Sequence, residues 1–279
     1  MSNRVLIIGG TGYLGKLLTF SLKQCELNVF TAGTSEIANF KINILSKDSL
    51  TSIFKNNNFD LIINLAGYGL NSTQNIKSLF EINSTGTKIL AECAIKWLPN
   101  VHVIHTATSI DNSVNESFES DYAKSKSMGS KIMEDFVLRF PQNFSILRLN
   151  NIYGPSQPKN RLFMGLVSSI LNKKDMTINF PNRKRDFCLD SDVVSNIVEF
   201  IKAKETSGSI IEIGTGSSIS VRTFATEICS QLNGDLNLIK FNTSVDDFFE
   251  NLPLSEPSVL FRKCHTDYSR GIEKVLRLI

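Results

Sequence analysis

Tyr122 and Lys126 lie four residues apart in the stretch SDYAKSKSMGSK (120–131), and side chains of these two types can move a proton. Residues four positions apart share one face of a helix. A nearby ammonium favours the phenolate of a tyrosine and lowers a pKa that is about 10 in water, so that the phenol can exchange a proton with a carbonyl or alcohol oxygen. Lys124 is out of register with this pair. The spacing alone also allows a solvated helix with a surface tyrosine and extended lysines.

Hydroxyl side chains precede this helix in the segment HTATS, which ends a strand predicted at 101–108. Ligands of parallel α/β sheets bind at the carboxyl ends of the strands. Thr106 or Thr108 could therefore hold a substrate oxygen while Tyr122 protonates it. A helix over about 120–140 must position the tyrosine. Its predicted buried stripe, with a repeat of four residues, consists of Met128, Ile132, Phe136 and Phe140.

Glycines recur every three residues in GGTGYLG (9–15), directly after a strand predicted at 4–10 and at the start of a helix over 13–24. Glycines in such a turn let the backbone approach a pyrophosphate, which the helix N-terminus also attracts. A glycine-rich turn can be purely structural, but this strand–turn–helix context favours a dinucleotide site. The residues expected to contact the cofactor here are Gly9, Thr11, Gly12, Tyr13, Leu14 and Gly15.

The end of the second strand (27–33) indicates which dinucleotide binds. An acidic residue there would bond the ribose 2′-hydroxyl of NAD. This chain instead has Gly33, Thr34 and Ser35, with Glu36 slightly late. Hydroxyl and backbone donors suit the 2′-phosphate of NADP, so NADP is favoured and NAD is the alternative, since the loop contains no arginine. Further cofactor contacts are expected after the third and fourth strands, from Asn43, Ile44, Leu65, Ala66 and Gly67.

Short apolar runs alternate with helical patterns over the first half of the chain, which predicts a Rossmann-type doubly wound parallel sheet. We expect a dinucleotide-binding domain over 1–155 and a small C-terminal α/β substrate lobe over 156–279, with parts of the chain crossing back to the first domain. The further predicted strands are 40–44, 60–67, 144–154 and 208–216. The further predicted helices are 46–56, 73–97, 160–174, 190–203 and 220–232.

The composition is that of an ordinary globular protein, with 279 residues, 42% of them hydrophobic, and a formal net charge of +3. Scattered charges without a like-charged block argue against nucleic acid as a partner. No apolar run is long enough to cross a membrane, and the N-terminus does not resemble a signal peptide. Five cysteines without a C-x-x-C pair suit free thiols, and no metal site is expected. These features predict a cytoplasmic protein without a membrane partner.

The order of these motifs resembles the extended short-chain dehydrogenase/reductase family, the NAD-dependent epimerases and dehydratases. The resemblance covers nearly the whole chain. Within the family, the chain is most similar to the CDP-abequose and CDP-paratose synthases, which reduce C4 of a 4-keto-3,6-dideoxysugar with NADPH. The segments that carry the resemblance, besides the glycine loop, NLAG and Y-x-x-x-K, are EINSTGT (81–87), RLNNIYGP (148–155), RDFCLDSDVV (185–194) and EIGTG (212–216).

The resemblance implies a catalytic trio of Thr106, Tyr122 and Lys126, with Thr108 as the second choice for the threonine. It implies that Tyr122 and Lys126 also contact the cofactor, together with Asn83. It further implies a nucleotide-sugar substrate and a homodimer formed through the long helices after strands four and five. The expected substrate-binding residues are Tyr68, Thr108, Asn151, Arg161 and Arg185.

Two departures from the family narrow the reaction. The 4,6-dehydratases carry Asp-Glu after the catalytic threonine, where this chain has Ala107 and Thr108, so a dehydratase is not expected. Ser255 stands near the position of an arginine that pairs with the substrate pyrophosphate in relatives. A C4 ketoreductase is therefore the leading hypothesis. An NDP-sugar 4-epimerase that retains NAD is the alternative, and a non-catalytic dinucleotide sensor is a third reading, because a fold alone does not establish catalysis.

Overall fold

The structure, a computed structural model, describes residues 4–69, 75–109, 120–203, 208–243 and 260–279. Its strands are β1 (Arg4–Ile8), β2 (Asn28–Gly33), β3 (Phe40–Lys41), β4 (Leu61–Asn64), β5 (His102–Thr108), β6 (Phe144–Leu149), β7 (Asn151–Tyr153), β8 (Met176–Asn179), β9 (Lys184–Arg185), β10 (Phe187–Leu189), β11 (Ile210–Gly214), β12 (Ile219–Ser220), β13 (Ile239–Asn242) and β14 (Leu260–Lys263). Its α-helices are α1 (Tyr13–Gln24), α2 (Lys47–Asn56), α3 (Ile76–Phe80), α4 (Thr87–Trp97), α5 (Asp121–Arg139), α6 (Leu162–Leu171), α7 (Asp190–Ala203), α8 (Val221–Gln231) and α9 (Tyr268–Leu276).

Eight strands form one sheet in the order β14-β11-β6-β5-β4-β1-β2-β3. The pairs that connect β3 to β6 through this sheet are all parallel. Their order, 3-2-1-4-5-6, is that of a dinucleotide-binding sheet, in which the strand order reverses between β1 and β4. The central strands are buried on both faces, which explains why they read as continuous apolar runs. The predicted Rossmann-type doubly wound sheet is confirmed.

The helix that carries Tyr122 and Lys126 begins at a capped end. Ser120 is its N-cap, and the Ser120 hydroxyl accepts a hydrogen bond from the Ala123 amide at 3.2 Å. The predicted stripe is wrong at Met128, whose side chain is 47% exposed. A strict repeat of four drifts around a helix of 3.6 residues per turn, so the buried face moves to Gly129, Met133, Phe136 and Val137.

Several other predicted elements are shorter or interrupted, among them the strand at 40–44, which ends at Lys41. The strand expected at 60–67 ends at Asn64, and the one at 144–154 breaks at Asn150. The helix expected at 73–97 contains a π-helical segment, Glu81–Gly86, between α3 and α4, and its first two positions lie outside the described residues. Such π-bulges often mark functional sites.

The chain forms two compact units. The first comprises the described residues of Met1–Leu149, Val194–Glu212 and Ser258–Leu260, and the second those of Asn150–Val193, Ile213–Pro257 and Phe261–Ile279. The first boundary therefore falls at 149/150 instead of the expected 155/156, and two later segments return to the first unit. The assignment of cofactor to one part and substrate to the other stays a prediction.

Each unit has its own apolar core. In the first, α2, α4 and α5 pack on the sheet around residues such as Leu50, Leu90 and Met133. In the second, α6, α8 and α9 surround an aromatic cluster in which Phe187 and Phe224 stack at 3.8 Å between ring centroids. No helix within the described part of the chain is both long and apolar enough to span a bilayer.

Candidate active site

The glycine loop forms a tight backbone cradle between β1 and α1. Gly9 has φ +81°, and its amide donates to the Ala32 carbonyl at 2.8 Å. A Cβ on Gly9 would lie 2.9 Å from the Leu65 carbonyl carbon, and one on Gly15 would collide with the Gly9 carbonyl oxygen. Side chains at these two positions are therefore excluded, whatever their chemistry.

The start of α1 is open toward this cradle. Its N-cap is Gly12, which is exposed and offers no side-chain cap, so the first amides of the helix lack the usual side-chain acceptor. Thr11, Tyr13 and Leu14 are partly buried around the same turn. A helix N-terminus without a side-chain cap, beside close-packed glycines, suits a pyrophosphate, so the residues present fit a dinucleotide.

The end of β2 carries no acidic side chain. A Cβ on Gly33 would meet no atom within 4 Å, Thr34 is exposed, and the Ser35 hydroxyl accepts a hydrogen bond from the Ile37 amide at 3.5 Å. Glu36 forms an ion pair with Lys41 of β3. The Glu36 carboxylate, which follows the predicted ribose position in sequence, therefore has a basic partner.

The two residues expected at the adenine end lie in different environments. Asn43 is exposed, and its side-chain oxygen accepts a hydrogen bond from the Leu45 amide at 3.0 Å. Ile44 is buried in the core, where a Cβ on Gly86 would come within 2.8 Å of its Cγ2. The Ile44 side chain thus supports the π-helical segment, while Asn43 shapes the turn into α2.

The tip of β4 is held by Asn64, a residue that the sequence patterns did not single out. The Asn64 side-chain oxygen accepts a hydrogen bond from the Ala66 amide at 3.1 Å, and the Leu65 amide donates to the Ile8 carbonyl at 2.9 Å. The Asn64 backbone carbonyl accepts the hydroxyl of Thr106 at 2.8 Å. Tips of two neighbouring strands are therefore joined by the threonine that was expected to be catalytic.

Lys126 reaches this strand tip from α5. Its ammonium donates to the Thr106 carbonyl at 3.1 Å, and the residue is buried. A Cβ on Gly67 would lie 3.9 Å from Lys126 Nζ and 3.5 Å from Asn83 Oδ1. Gly67 therefore lies beside both polar groups without covering them.

Asn83, in the π-helical segment, links three parts of this site. Its side-chain oxygen accepts the Tyr68 amide at 2.8 Å, and its side-chain nitrogen donates to the Tyr68 carbonyl at 3.1 Å and to the Ser125 hydroxyl at 2.9 Å. The Ser125 hydroxyl donates to the Tyr122 carbonyl at 2.8 Å. A Cβ on Gly129 would collide with the Asn83 carbonyl oxygen, so glycine is needed for this close approach of α5.

Tyr122 lies on the first turn of α5, one helical turn before Lys126, with a partly buried side chain. The structure thus brings together Thr106, Lys126, Asn83, Gly67 and the backbone of Tyr68 and Tyr122. Lys124 lies between the two predicted residues and is not part of the buried face. Ala107, directly after Thr106, is buried in the core, and Thr108 is partly buried at the strand end.

A sequence model of the NAD dependent epimerase/dehydratase family matches residues 5–214. The chain belongs to this family. A dTDP-D-glucose 4,6-dehydratase of Dictyostelium discoideum is 26% identical over 78% of this chain, which spans 59% of that relative's length. A CDP-abequose synthase of Salmonella typhimurium is 22% identical over 98% of this chain and 97% of its own length. A dTDP-glucose 4,6-dehydratase of Streptomyces venezuelae, solved with NAD bound, superposes with a TM-score of 0.81 at 19% identity, covering 98% of this chain and 96% of that one.

The remaining predicted substrate-binding residues lie in the second unit. Asn151 pairs with β10, its amide donating to the Asp186 carbonyl at 2.9 Å, and Arg161 is the N-cap residue of α6. Arg185 is partly buried on β9, and its guanidinium donates to the Lys184 carbonyl at 2.9 Å. Burial, reinforced by the charge of Arg183, lowers the pKa of Arg185 to about 9. Ser255 lies outside the described residues.

Two polar residues that the sequence patterns did not predict, Asp186 and Asn150, bond backbone groups and so stabilise the second unit. Asp186 accepts the amides of Thr215 and Gly216 at 2.8 and 2.9 Å, and Asn150 donates from its side chain to the Ile213 carbonyl at 3.1 Å. Only the acidic residue in the R-D-F sequence signals the first of these networks. For Asn64, Ser125 and Gly129, no local pattern exists, because their partners lie on other elements.

Proposed function

We propose that this chain is an NAD(P)H-dependent reductase that converts the C4 ketone of a nucleotide-linked 4-keto-6-deoxysugar into an alcohol, in the synthesis of a deoxysugar for surface polysaccharides. The proposal rests on the side chains that lie at the carboxyl end of β5. Thr106 and Lys126 are joined there by a hydrogen bond, Tyr122 lies one turn away on the same helix, and Ala107 provides no acid. These groups suit transfer of one proton and do not supply the acid–base pair of a dehydratase.

The proposed chemistry assigns one role to each residue. The dinucleotide, when bound, supplies the hydride that reduces the carbonyl carbon. Tyr122 donates a proton to the carbonyl oxygen, and the Lys126 ammonium favours the phenolate that this leaves. The Thr106 hydroxyl gives its hydrogen to the Asn64 carbonyl, so its lone pairs face outward to accept from the tyrosine or from the alcohol product.

The proposed cofactor position uses the open start of α1 and the end of β2. The uncapped helix start and the glycine contacts suit a pyrophosphate, as described above. We favour NADP over NAD because Glu36 pairs with Lys41 and Gly33 leaves open space. Binding of NADPH and NADH, measured separately by calorimetry, tests this preference; tighter binding of NADH would reverse it.

The substrate diphosphate is assigned to Arg185, with Asn151, Arg161, Tyr68 and Thr108 as further contacts. At pH 7 the Arg185 guanidinium is still charged, and in the described part of the chain its hydrogen bond is to a neutral carbonyl, that of Lys184. A partly desolvated cation of this kind favours a ligand with negative charge.

A homodimer is also part of this proposal, by likeness to the family. The surface of α4 and α5 has an apolar groove, rimmed by charged residues, that a second copy could cover. Its apolar lining consists of Ile95, Ile132, Phe136 and Phe140. Light scattering on the purified protein would give the mass, and a charge in the groove, Ile132→Glu, should release monomers.

The test is to incubate the purified protein with NADPH and with CDP-, dTDP- or GDP-linked 4-keto-6-deoxysugars. We expect loss of the nicotinamide absorbance with at least one of them and a product reduced at C4. Tyr122→Phe should remove most of the turnover, whereas Lys124→Gln, two residues along the same helix, should retain it. No oxidation of NADPH with any ketosugar would contradict the proposal. Tightly retained NAD together with interconversion of C4 epimers would favour the epimerase, and unchanged function in Tyr122→Phe would favour a sensor.

A further inference from the structure

His105 is a buried imidazole beside the strand tip that the proposed chemistry does not use. It directly precedes Thr106 on β5 and is paired in register with Asn64 on β4. Its side chain is 1% exposed, and its Nδ1 lies 3.1 Å from the side-chain nitrogen of Asn64. Its Nε2 has no hydrogen-bond partner among the residues that the structure describes.

The protonation of His105 follows from a backbone amide. The Ala66 amide can only donate, and it lies 3.1 Å from Asn64 Oδ1, so this atom is the amide oxygen. The other end of the carboxamide, Asn64 Nδ2, is then a donor aimed at His105 Nδ1. Nδ1 must therefore hold a lone pair, which excludes the imidazolium and places the single proton on Nε2.

The surroundings of His105 favour the same state. Burial, reinforced by the positive charge of Lys126 on α5, holds the pKa of His105 well below its usual value of 6.5. The buried Nε2 proton has no acceptor among the described residues, and a buried donor left unpaired costs stability. An apolar residue would avoid this cost, so packing alone does not account for a histidine here.

Asn64 connects the imidazole to the reacting groups. Its carboxamide is held between His105 and Ala66, and its backbone carbonyl accepts the Thr106 hydroxyl at 2.8 Å. The Thr106 carbonyl in turn accepts the Lys126 ammonium at 3.1 Å. The contacts of the carboxamide with His105 and Ala66 therefore fix the turn that follows Asn64, and so hold the backbone whose carbonyl directs the Thr106 hydroxyl.

We propose that His105 is a positioning residue, which, as a neutral imidazole protonated on Nε2, fixes Asn64 and through the Asn64 carbonyl directs the Thr106 hydroxyl. The effect on turnover rests on the proposed function, because it requires Thr106 to act on the substrate. The assignment of the tautomer does not.

The tautomer is tested directly by ¹⁵N NMR on histidine-labelled protein. The chain has three histidines, and the spectrum of His105→Asn identifies the signals of His105 by their loss. At neutral pH we expect an unprotonated Nδ1 and a protonated Nε2 for His105. A protonated Nδ1, or an imidazolium, would overturn the proposal without reference to any substrate.

The positioning role is tested by a pair of substitutions that differ in one acceptor. His105→Asn places an oxygen near the position of Nδ1, whereas His105→Leu fills similar space without an acceptor. We expect kcat to fall about tenfold or more in His105→Leu and much less in His105→Asn, with dinucleotide affinity unchanged in both. His102→Leu, on the same strand, is the matched control, since His102 bonds Ser145 and not Asn64.

A double-mutant cycle separates positioning from stability. In a Thr106→Val background, where no hydroxyl remains to be directed, His105→Leu should lower kcat little further. A full, additive loss would contradict the proposal. If His105→Leu does not fold, His105→Gln, whose acceptor is displaced by one methylene, replaces it in the same cycle. If the wild-type protein reduces no ketosugar, the proposed function fails, and the NMR result still decides the state of His105.

Discussion

Two arginines withdrawn from solvent, one in each unit, differ in what neutralises them. The side chain of Arg148, on β6, is 10% exposed and pairs with Glu134 of α5 at 2.6 Å. Arg185, on β9, is partly buried beside Arg183 and donates to a backbone carbonyl, and it forms no ion pair with a carboxylate of the described residues. A charge that leaves water needs a counter-charge. Arg148 has one inside the protein, so it serves the fold, whereas Arg185 is suited to an anion from outside.

The strand tip around Thr106 resembles the Arg148 site more than the Arg185 site. Asn64, Asn83, Thr106 and Lys126 bond to other protein groups before any ligand arrives. Groups held in this way can stabilise a transition state without reorganising. The preorganised groups at the strand tip should therefore govern kcat. The charge of Arg185, which has no counter-charge among the described residues, should govern substrate binding.

The largest effect is expected at the preorganised cluster. Thr106→Val removes the hydroxyl that joins the two strand tips and the acceptor proposed for Tyr122, so kcat should fall about 100-fold, the cost of misplacing a reacting group by about 1 Å. The KM of the ketosugar should change little, because the side chain acts mainly in the transition state. Steady-state kinetics measure both constants, and Thr106→Ser, which keeps the hydroxyl, is the control. A change confined to KM would erase the distinction between the two regions.

Arg185→Gln should change KM and leave kcat nearly unaltered, the reverse of Thr106→Val. A charge-assisted hydrogen bond to an anion contributes about 1.5–3 kcal/mol, so the KM of the nucleotide sugar should rise about 10- to 100-fold while kcat changes little. Lys184→Gln is the matched control, since Lys184 is exposed and contributes only its backbone carbonyl. An unchanged KM in Arg185→Gln would show that the diphosphate is held elsewhere.

The paired arginine should affect stability and not substrate binding. Glu134→Ala leaves the Arg148 charge buried without a counter-charge and should cost about 2–3 kcal/mol of unfolding free energy. Arg148→Met should cost less, because Glu134 is 34% exposed and can rehydrate. Denaturant unfolding measures both values. Equal losses, or a rise in substrate KM, would contradict the contrast between the two arginines.

The sequence predicted those features that depend on local periodicity and known spacing. The bounds of α1 and α7 were predicted to the residue, because apolar repeats and clear ends define both helices. The π-helical segment was missed, since it depends on Gly129 of α5 packing against Asn83. The partners of Asn64 and Arg148 were also missed: each lies on another element, and a single sequence contains no signal for such pairs.

The smallest effect concerns His105 and the stability of the fold at mildly acidic pH. Burial, and then the Lys126 charge, lower the pKa of His105 below its usual 6.5, and burial lowers that of His102. Below pH 6.5 the unfolded chain therefore binds protons that the folded chain does not, so this stability is complete above pH 6.5 and declines as the pH falls.

The loss from one such histidine is at most about 1.4 kcal/mol for the first pH unit below 6.5. The unfolding free energy of the wild-type protein should therefore fall more between pH 7.5 and 5.5 than that of His105→Asn, which has no imidazole to protonate. His265→Asn is the control, because His265 is exposed. Parallel declines in wild type and His105→Asn would mean that His105 is protonated in the folded protein, which the donor from Asn64 does not permit. The same measurement thus tests whether the His105 imidazole, like the Arg148 ion pair, keeps its charge state and its partner in the folded protein.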